Sequence, residues 1–164
     1  MKRVAVAFTG PSNSGKTTLI VKLAKKLVPD HEVAIVKHDP GDKARFDTEG
    51  KDSYKFTQTG AHTVVVSPNR TTYFAPKSKT ISEIVDMVKD FDYLLVEGLK
   101  TLPLPRIAVF RNQIDESYFP WIEAIAIDAS VDIEAYEIPE NISVLDLNDT
   151  DAILAWIETH AKAV

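Results

Sequence analysis

The sequence contains no cysteine, which excludes disulfides, thiolate nucleophiles and cysteine-ligated metals together and is compatible with a reducing compartment. Its four histidines, at 31, 38, 62 and 160, share no metal-ligand spacing, so no zinc-type site is legible either. Arginine is scarce, five residues scattered at 3, 45, 70, 106 and 111, and no basic tract occurs. With 19 basic against 24 acidic residues the formal charge is -5, which argues against capture of DNA or RNA through phosphates. Long apolar runs are missing too. The N-terminal run stops at Gly10, too short for a signal-peptide core followed by a cleavage site, and no later run approaches the roughly 20 residues that span a bilayer. The expectation is a cytoplasmic protein with neither nucleic acid nor membrane as partner.

What is present is 45% hydrophobic and 26% charged residues over 164 positions, enough for one core and too little for two ordinary ones, so a single domain over 1–164 is expected. RVAVAF at 3–8 is a short apolar, β-branched run, the pattern of a strand buried on both faces. From Lys16 the period becomes helical, with Leu19, Leu23 and Leu27 on one face before Pro29. EVAIVK at 32–37 is the next strand, which makes a βαβ unit. Further strands are expected at 63–66, 71–74, 93–97, 106–110, 124–127 and 142–145. SPNR marks a turn between the first two of these. Helices are expected at 51–58, 80–89 and about 150–160, the second capped by Thr80 or Ser82. The alternation predicts an α/β three-layer domain with a mostly parallel sheet, and the glycine loop between the first strand and the first helix makes it P-loop NTPase-like, a single nucleotide-binding domain over 1–164.

Between the first strand and first helix lies GPSNSGKTT, residues 10–18. Gly10, four residues, then Gly15-Lys16-Thr17 is the full phosphate-loop pattern in its required strand–loop–helix context. The glycines let backbone amides approach phosphate oxygens, and the helix start adds a field that favours an anion. Asn13, Ser14 and Thr18 complete the expected phosphate contacts. Lys16 is expected to reach the β- and γ-phosphates, and the Thr17 hydroxyl to coordinate Mg²⁺.

Glu97 closes the apolar run YLLVE and precedes Gly98, a strand end where nucleotide sites lie in open parallel sheets. A carboxylate there can hold a magnesium-bound water or polarise an attacking one; the alternative is a strand-terminal acid facing solvent. Residues 38–60 are polar and long for a connection. Within them Asp47 is a candidate for magnesium or water, Lys51 for phosphate or a second ligand, and His38 and Asp52 for further contacts. Read singly, each is equally well an ordinary loop charge. TLPLP at 101–105 reads as a stiff surface connection, and the aromatics of YFPWIEA at 118–124 as core or as a subunit contact.

GPSNSGKTTL (10–19), VKHD (36–39), FDTEGKDSYKFTQTGA (46–61), VVS (65–67), LLVEGLK (94–100) and RIAVFR (106–111) together resemble the MobB family, the molybdopterin-guanine dinucleotide biosynthesis adapter proteins. The resemblance implies a GTP- and Mg²⁺-binding homodimer with weak GTPase activity. It also implies a MobA-type guanylyltransferase as partner and molybdopterin or its guanine dinucleotide as a further ligand. On this chain the family's phosphate loop falls on Gly10, Gly15, Lys16, Thr17 and Thr18. Its acidic strand end falls on Glu97, and its central signature on His38, Asp47, Gly50, Lys51, Asp52, Ser53 and Gly60.

No NKxD-type guanine-reading motif is present. Asp128, or the segment around Arg111 and Asn112, are the alternatives for a base site. No arginine is evident beside the loop, which points to slow turnover, with Arg45 or a residue of a second subunit as the alternatives for that role. A small-molecule kinase of the same architecture is the competing reading, disfavoured by the scattered arginines.

Overall fold

The computed structural model describes residues 2–164. In chain order the elements are β1 (Val4–Thr9), α1 (Lys16–Leu27), β2 (Val33–Lys37), α2 (Asp52–Thr57), β3 (Thr63–Ser67), β4 (Arg70–Phe74), α3 (Ile81–Met87), β5 (Tyr93–Glu97), β6 (Arg106–Phe110), β7 (Ala124–Ile127), β8 (Ser143–Asp146), α4 (Thr150–His160) and β9 (Lys162–Ala163). Two 3₁₀ segments, Glu116–Trp121 and Ile133–Ala135, complete them. The residues form two compact units: one runs up to His38 and resumes over Asp90–Val164, the other is Asp39–Lys89.

The first unit is built on a sheet in the order β2-β5-β1-β6-β7-β8, all parallel. Strand residues alternate between two cores. Val6, Phe8, Leu95, Ile107 and Val109 pack with Leu19 and Leu23 of α1 and Ile153 and Trp156 of α4. Ala108, Phe110, Ile125 and Ile127 face the other way, onto Ile114, Ile122 and Val131, with Tyr118 and Phe119 against them. Each such buried Leu, Ile or Phe contributes about 1.5–3 kcal/mol relative to exposure. This mostly parallel sheet with flanking helices is the fold class read from the alternating pattern.

Register explains the unusual joint between β5 and β6. Glu97 of β5 lies level with Phe8 and Arg106 of β6 level with Ala7, on opposite sides of β1. The chain therefore needs almost no return along the strand direction, and residues 98–105 cross over without the helix that parallel connections usually require. The lower edge of β1, which β6 leaves free, is taken by β9, antiparallel at Val4↔Ala163 and Ala5↔Lys162. Two residues without periodicity carry no strand signal, so β9 is not legible in the sequence.

Arg106 locks that crossing. It is 1% exposed, and its guanidinium donates to the carbonyls of Gly98 (2.7 Å), Leu99 (2.8 Å) and Leu102 (3.3 Å). Its own amide donates to Glu123 Oε2 at 2.7 Å. Burial lowers its pKa, with Glu123 acting in the opposite direction.

In the second unit, β3 and β4 form an antiparallel hairpin closed over Pro68 and Asn69, with Ser67 paired to Arg70. Helix α3 starts with a capping box: Thr80 Oγ1 accepts from Glu83 N, and Glu83 Oε2 accepts from Thr80 N. Thr63 is the one buried residue of this unit.

Candidate functional site

Strand β1 ends in a buried Thr9 and hands the chain to Gly10, whose φ is +131°. A Cβ at Gly10 would stand 2.4 Å from the carbonyl oxygen of Val109, so the loop passes β6 at a distance that only glycine permits. Asn13 (φ 61°) and Gly15 (φ 101°) bend the loop further. Gly15 is the N-cap of α1 and supplies no side-chain cap, and the first turn carries no acid. The α1 amides therefore have no side-chain acceptor at the N-cap, and the helix field there favours an anion. Ser14 is buried and its hydroxyl has no hydrogen-bond partner.

A cavity of about 470 Å³ opens over this turn, lined by residues 12–18 together with Lys37, Glu97 and Arg111. The Lys16 ammonium donates to the carbonyls of Gly10 and Pro11, both at 2.8 Å. Burial pushes its pKa below the usual lysine value; Glu97 opposes this, while Lys37 and Lys100 add to it. Glu97 does not face solvent freely. Its side chain is 16% exposed and both its oxygens accept from Lys37 Nζ at 3.2 Å, because β2 and β5 are neighbours with Lys37 opposite Glu97.

Sequence reasoning missed two cations of this cavity. Lys37 closes the strand β2, whose register sets it opposite Glu97. The expectation that no arginine stands beside the loop is corrected by Arg111: a Cβ on Gly15 would lie 3.8 Å from Arg111 Nε. Arg111 directly follows β6, the neighbour of β1, and that adjacency is not written in local sequence. Its Nε donates to Asp128 Oδ2 at 3.1 Å, and the Asn112 amide donates to Ser130 Oγ at 2.8 Å. The two alternatives for a base site are thus one cluster at the ends of β6 and β7. Ser130 holds the Asp128 carboxyl below the usual aspartate range through side-chain and backbone hydrogen bonds, with Arg111 adding to it.

The remaining candidates are His38, Asp47, Lys51 and Asp52. His38 lies beside Gly98, where a Cβ would come within 3.1 Å of the His38 Cβ. Gly98 therefore makes room for that side chain, at φ +87°. Asp47, Lys51 and Asp52 belong to the second unit. Asp47 Oδ1 accepts from Thr48 N and Ser53 Oγ, both at 2.9 Å. Lys51 is the N-cap of α2, and Asp52 lies 3.8 Å from Lys55 Nζ.

Residues 5–130 match the family described as Molybdopterin guanine dinucleotide synthesis protein B. The chain belongs to the MobB family. Among MobB relatives, the molybdopterin-guanine dinucleotide biosynthesis adapter protein of Escherichia coli is 30% identical over 168 residues, covering 93% of each chain. That of Haemophilus influenzae is 28% identical over 159 residues, covering 93% of this chain and 86% of the relative. The crystal structure of Bacillus subtilis MobB superposes with a TM-score of 0.77 at 23% identity, covering 96% of this chain and 98% of the other. The hydrogenase maturation factor HypB of Archaeoglobus fulgidus shares the fold at a TM-score of 0.54 and 19% identity, over 95% and 87% of the two chains. The glycine loop and the Glu97 strand end both lie inside the matched MobB span. No helix among the described residues is long and apolar enough to cross a membrane.

Proposed function

We propose that this chain is a GTP-binding adapter with slow, Mg²⁺-dependent GTPase activity. It acts as a cytoplasmic homodimer beside a MobA-type guanylyltransferase that makes molybdopterin-guanine dinucleotide. The observation that carries the reading is one cavity in which the uncapped start of α1, Lys16, Thr17 and Glu97 converge. The residues suit a triphosphate: two glycines and Asn13 at positive φ shape the loop, and Ser14 Oγ is buried without a partner. They suit Mg²⁺ as well, since Thr17 offers a hydroxyl, Glu97 a carboxylate, and Mg²⁺ takes its other oxygens from phosphates and water. Guanine preference and the partner enzyme rest on the family.

In this reading Lys16 exchanges the Gly10 and Pro11 carbonyls for phosphate oxygens, which form stronger charge-assisted bonds. The amides of residues 13–18 hold the phosphates in place. Bound Mg²⁺ supplies neutralisation of the transferred phosphoryl charge. Glu97 orients water, but only to the extent that it is released by Lys37, and this restraint suits slow turnover. Asp47, Lys51, Asp52 and His38 are left to the partner or to molybdopterin. The exposed valines of β3, Val66 at 75% and Val64 at 55%, support a second copy covering the hairpin.

Calorimetry with GTP·Mg²⁺ tests the reading. Lys16→Ala is expected to weaken GTP binding by at least about tenfold, and unchanged affinity would overturn the proposal. Glu97→Gln is expected to keep binding and lower hydrolysis; equal hydrolysis removes the water-orienting role. The cation Arg111 beside the loop favours a second reading, phosphoryl transfer to a small metabolite, which a nucleotide-dependent phosphorylated product would establish.

A further inference from the structure

Segment 97–100 serves the phosphate cavity at one end and, at the other, a groove that the function above does not use. Lys100 and Trp121 line two cavities, of about 620 Å³ and 180 Å³. The larger is closed by the 101–105 connection, His160 and Lys162. The smaller reaches Thr9 and Tyr118. The larger cavity by itself has the size of an ordinary small-molecule site.

Its chemistry is unlike the rest of this acidic chain. Lys100 holds its ammonium 4.8 Å from the Tyr118 ring centroid. Lys162 donates to the Pro103 carbonyl at 3.3 Å. The single carboxylate in the lining, Glu123, already accepts from the Arg106 amide. Trp121 is 65% exposed, whereas Trp156 is buried and donates its Nε1 to Ser143 Oγ. A large exposed indole beside ammonium groups offers a stacking face and an anion contact together.

The wall is rigid. Pro103, Pro105 and Pro120 stiffen it, and the Arg106 guanidinium clamps three carbonyls of its backbone. Gly98 (φ 87°) and Leu99 (φ 49°) hold the backbone between Glu97 and Lys100 in the left-handed region. A non-glycine residue keeps such a conformation only where its surroundings impose it. The groove is also felt at the phosphate loop, since the Lys100 charge helps to lower the pKa of Lys16.

We propose that this groove binds a small anion carrying a flat heteroaromatic ring, of the pterin class, with the ring on Trp121 and the anionic end between Lys100 and Lys162. The choice of pterin within that chemical class rests on the function proposed above. The groove itself rests on its cavity and lining.

The test is calorimetry of the full chain with pterin-6-carboxylate, unsubstituted pterin and inorganic phosphate. Pterin-6-carboxylate is expected to bind. Trp121→Ala, and separately Lys100→Ala with Lys162→Ala, are each expected to weaken it about tenfold, in keeping with the usual worth of one stacking or ionic contact. Trp121→Phe is expected to retain most of the affinity, and Trp121→Ala to bind GTP as the unaltered chain does, which shows that it is folded. Lys16→Ala is expected to leave pterin-6-carboxylate binding unchanged. The proposal is overturned by absence of binding at millimolar probe, by equal binding of unsubstituted pterin, by indifference to the Trp121 and lysine changes, or by loss in Lys16→Ala, which would place the probe in the phosphate cavity. If the GTP reading alone is wrong, Lys16→Ala leaves GTP affinity intact while the groove results stand.

Discussion

Gly10 and Gly50 separate two costs that a glycine can carry. Both have positive φ, 131° and 87°, so an alanine at either position is strained by about 1 kcal/mol or more. At Gly50 nothing lies within 4 Å of a built Cβ, whereas at Gly10 the Val109 carbonyl oxygen is 2.4 Å away. Gly10→Ala is therefore expected to cost roughly 1–3 kcal/mol more than Gly50→Ala, by overpacking against backbone that cannot retreat. Thermal unfolding checks this, at about 2–4 °C per kcal/mol for a chain of this size. Comparable melting temperatures for the two variants would show that the loop shifts away from β6 freely. The requirement at Gly10 was legible as a motif, but its reason was not, because Val109 is distant in sequence and near only through the β1–β6 pairing.

Among the elements, β3 and β4 form a two-stranded sheet of their own. Its paired residues were readable from two short β-branched runs around SPNR. Yet β3 is exposed on both faces, with Val64 and Val66 on one and Val65 on the other. A two-stranded hairpin is marginal in water by itself, and exposed β-branched strands are templates for pairing. Within the proposed homodimer, Val64→Asp with Val66→Asp is expected to convert dimer to monomer in sedimentation while GTP affinity stays the same. A dimer that survives the double change would move the interface elsewhere. The β5–β6 connection teaches the complementary lesson. TLPLP reads as a connection and does join β5 to β6, but that it crosses β1 and is stapled by a buried Arg106 depends on a register offset between strands, which no local window contains.

For the molecule as a whole, several carboxylates are held below their usual range. Asp92 is lowered chiefly by the amide of Lys2, then by that of Glu32, which it accepts at 2.9 and 3.1 Å and so ties the entries of β1 and β2 together. Ser117 lowers Asp115, and Lys2 with Tyr93 lowers Glu158. A group with a depressed folded pKa binds fewer protons folded than unfolded, so its contribution is complete above the ordinary carboxylate range and fades as pH falls through the folded values. The melting temperature is expected to be level near neutrality and to fall in acid. Asp92→Asn is expected to melt lower at neutral pH and to lose less on acidification. A parallel acid decline in both proteins would remove Asp92 from the account.

The sequence by itself determined the glycine loop, the strand that feeds it, the helix that receives it, the Glu97 strand end and nearly every longer element to within two residues of its bounds. These are short-range matters of glycine placement, apolar period and turn chemistry, each contained in a dozen or so consecutive residues. Tertiary structure decided what those elements meet. Lys37 reaches Glu97 because β2 lies next to β5, Arg111 reaches the loop because β6 lies next to β1, and Trp121, Lys100 and Lys162 line one cavity where the crossing chain and a two-residue β9 share the edge of β1 that β6 leaves free. Strand order and register are set by long-range packing, and that is why the side chains that surround the cavity over the glycine loop, and the groove lined by Trp121, became visible only in the fold.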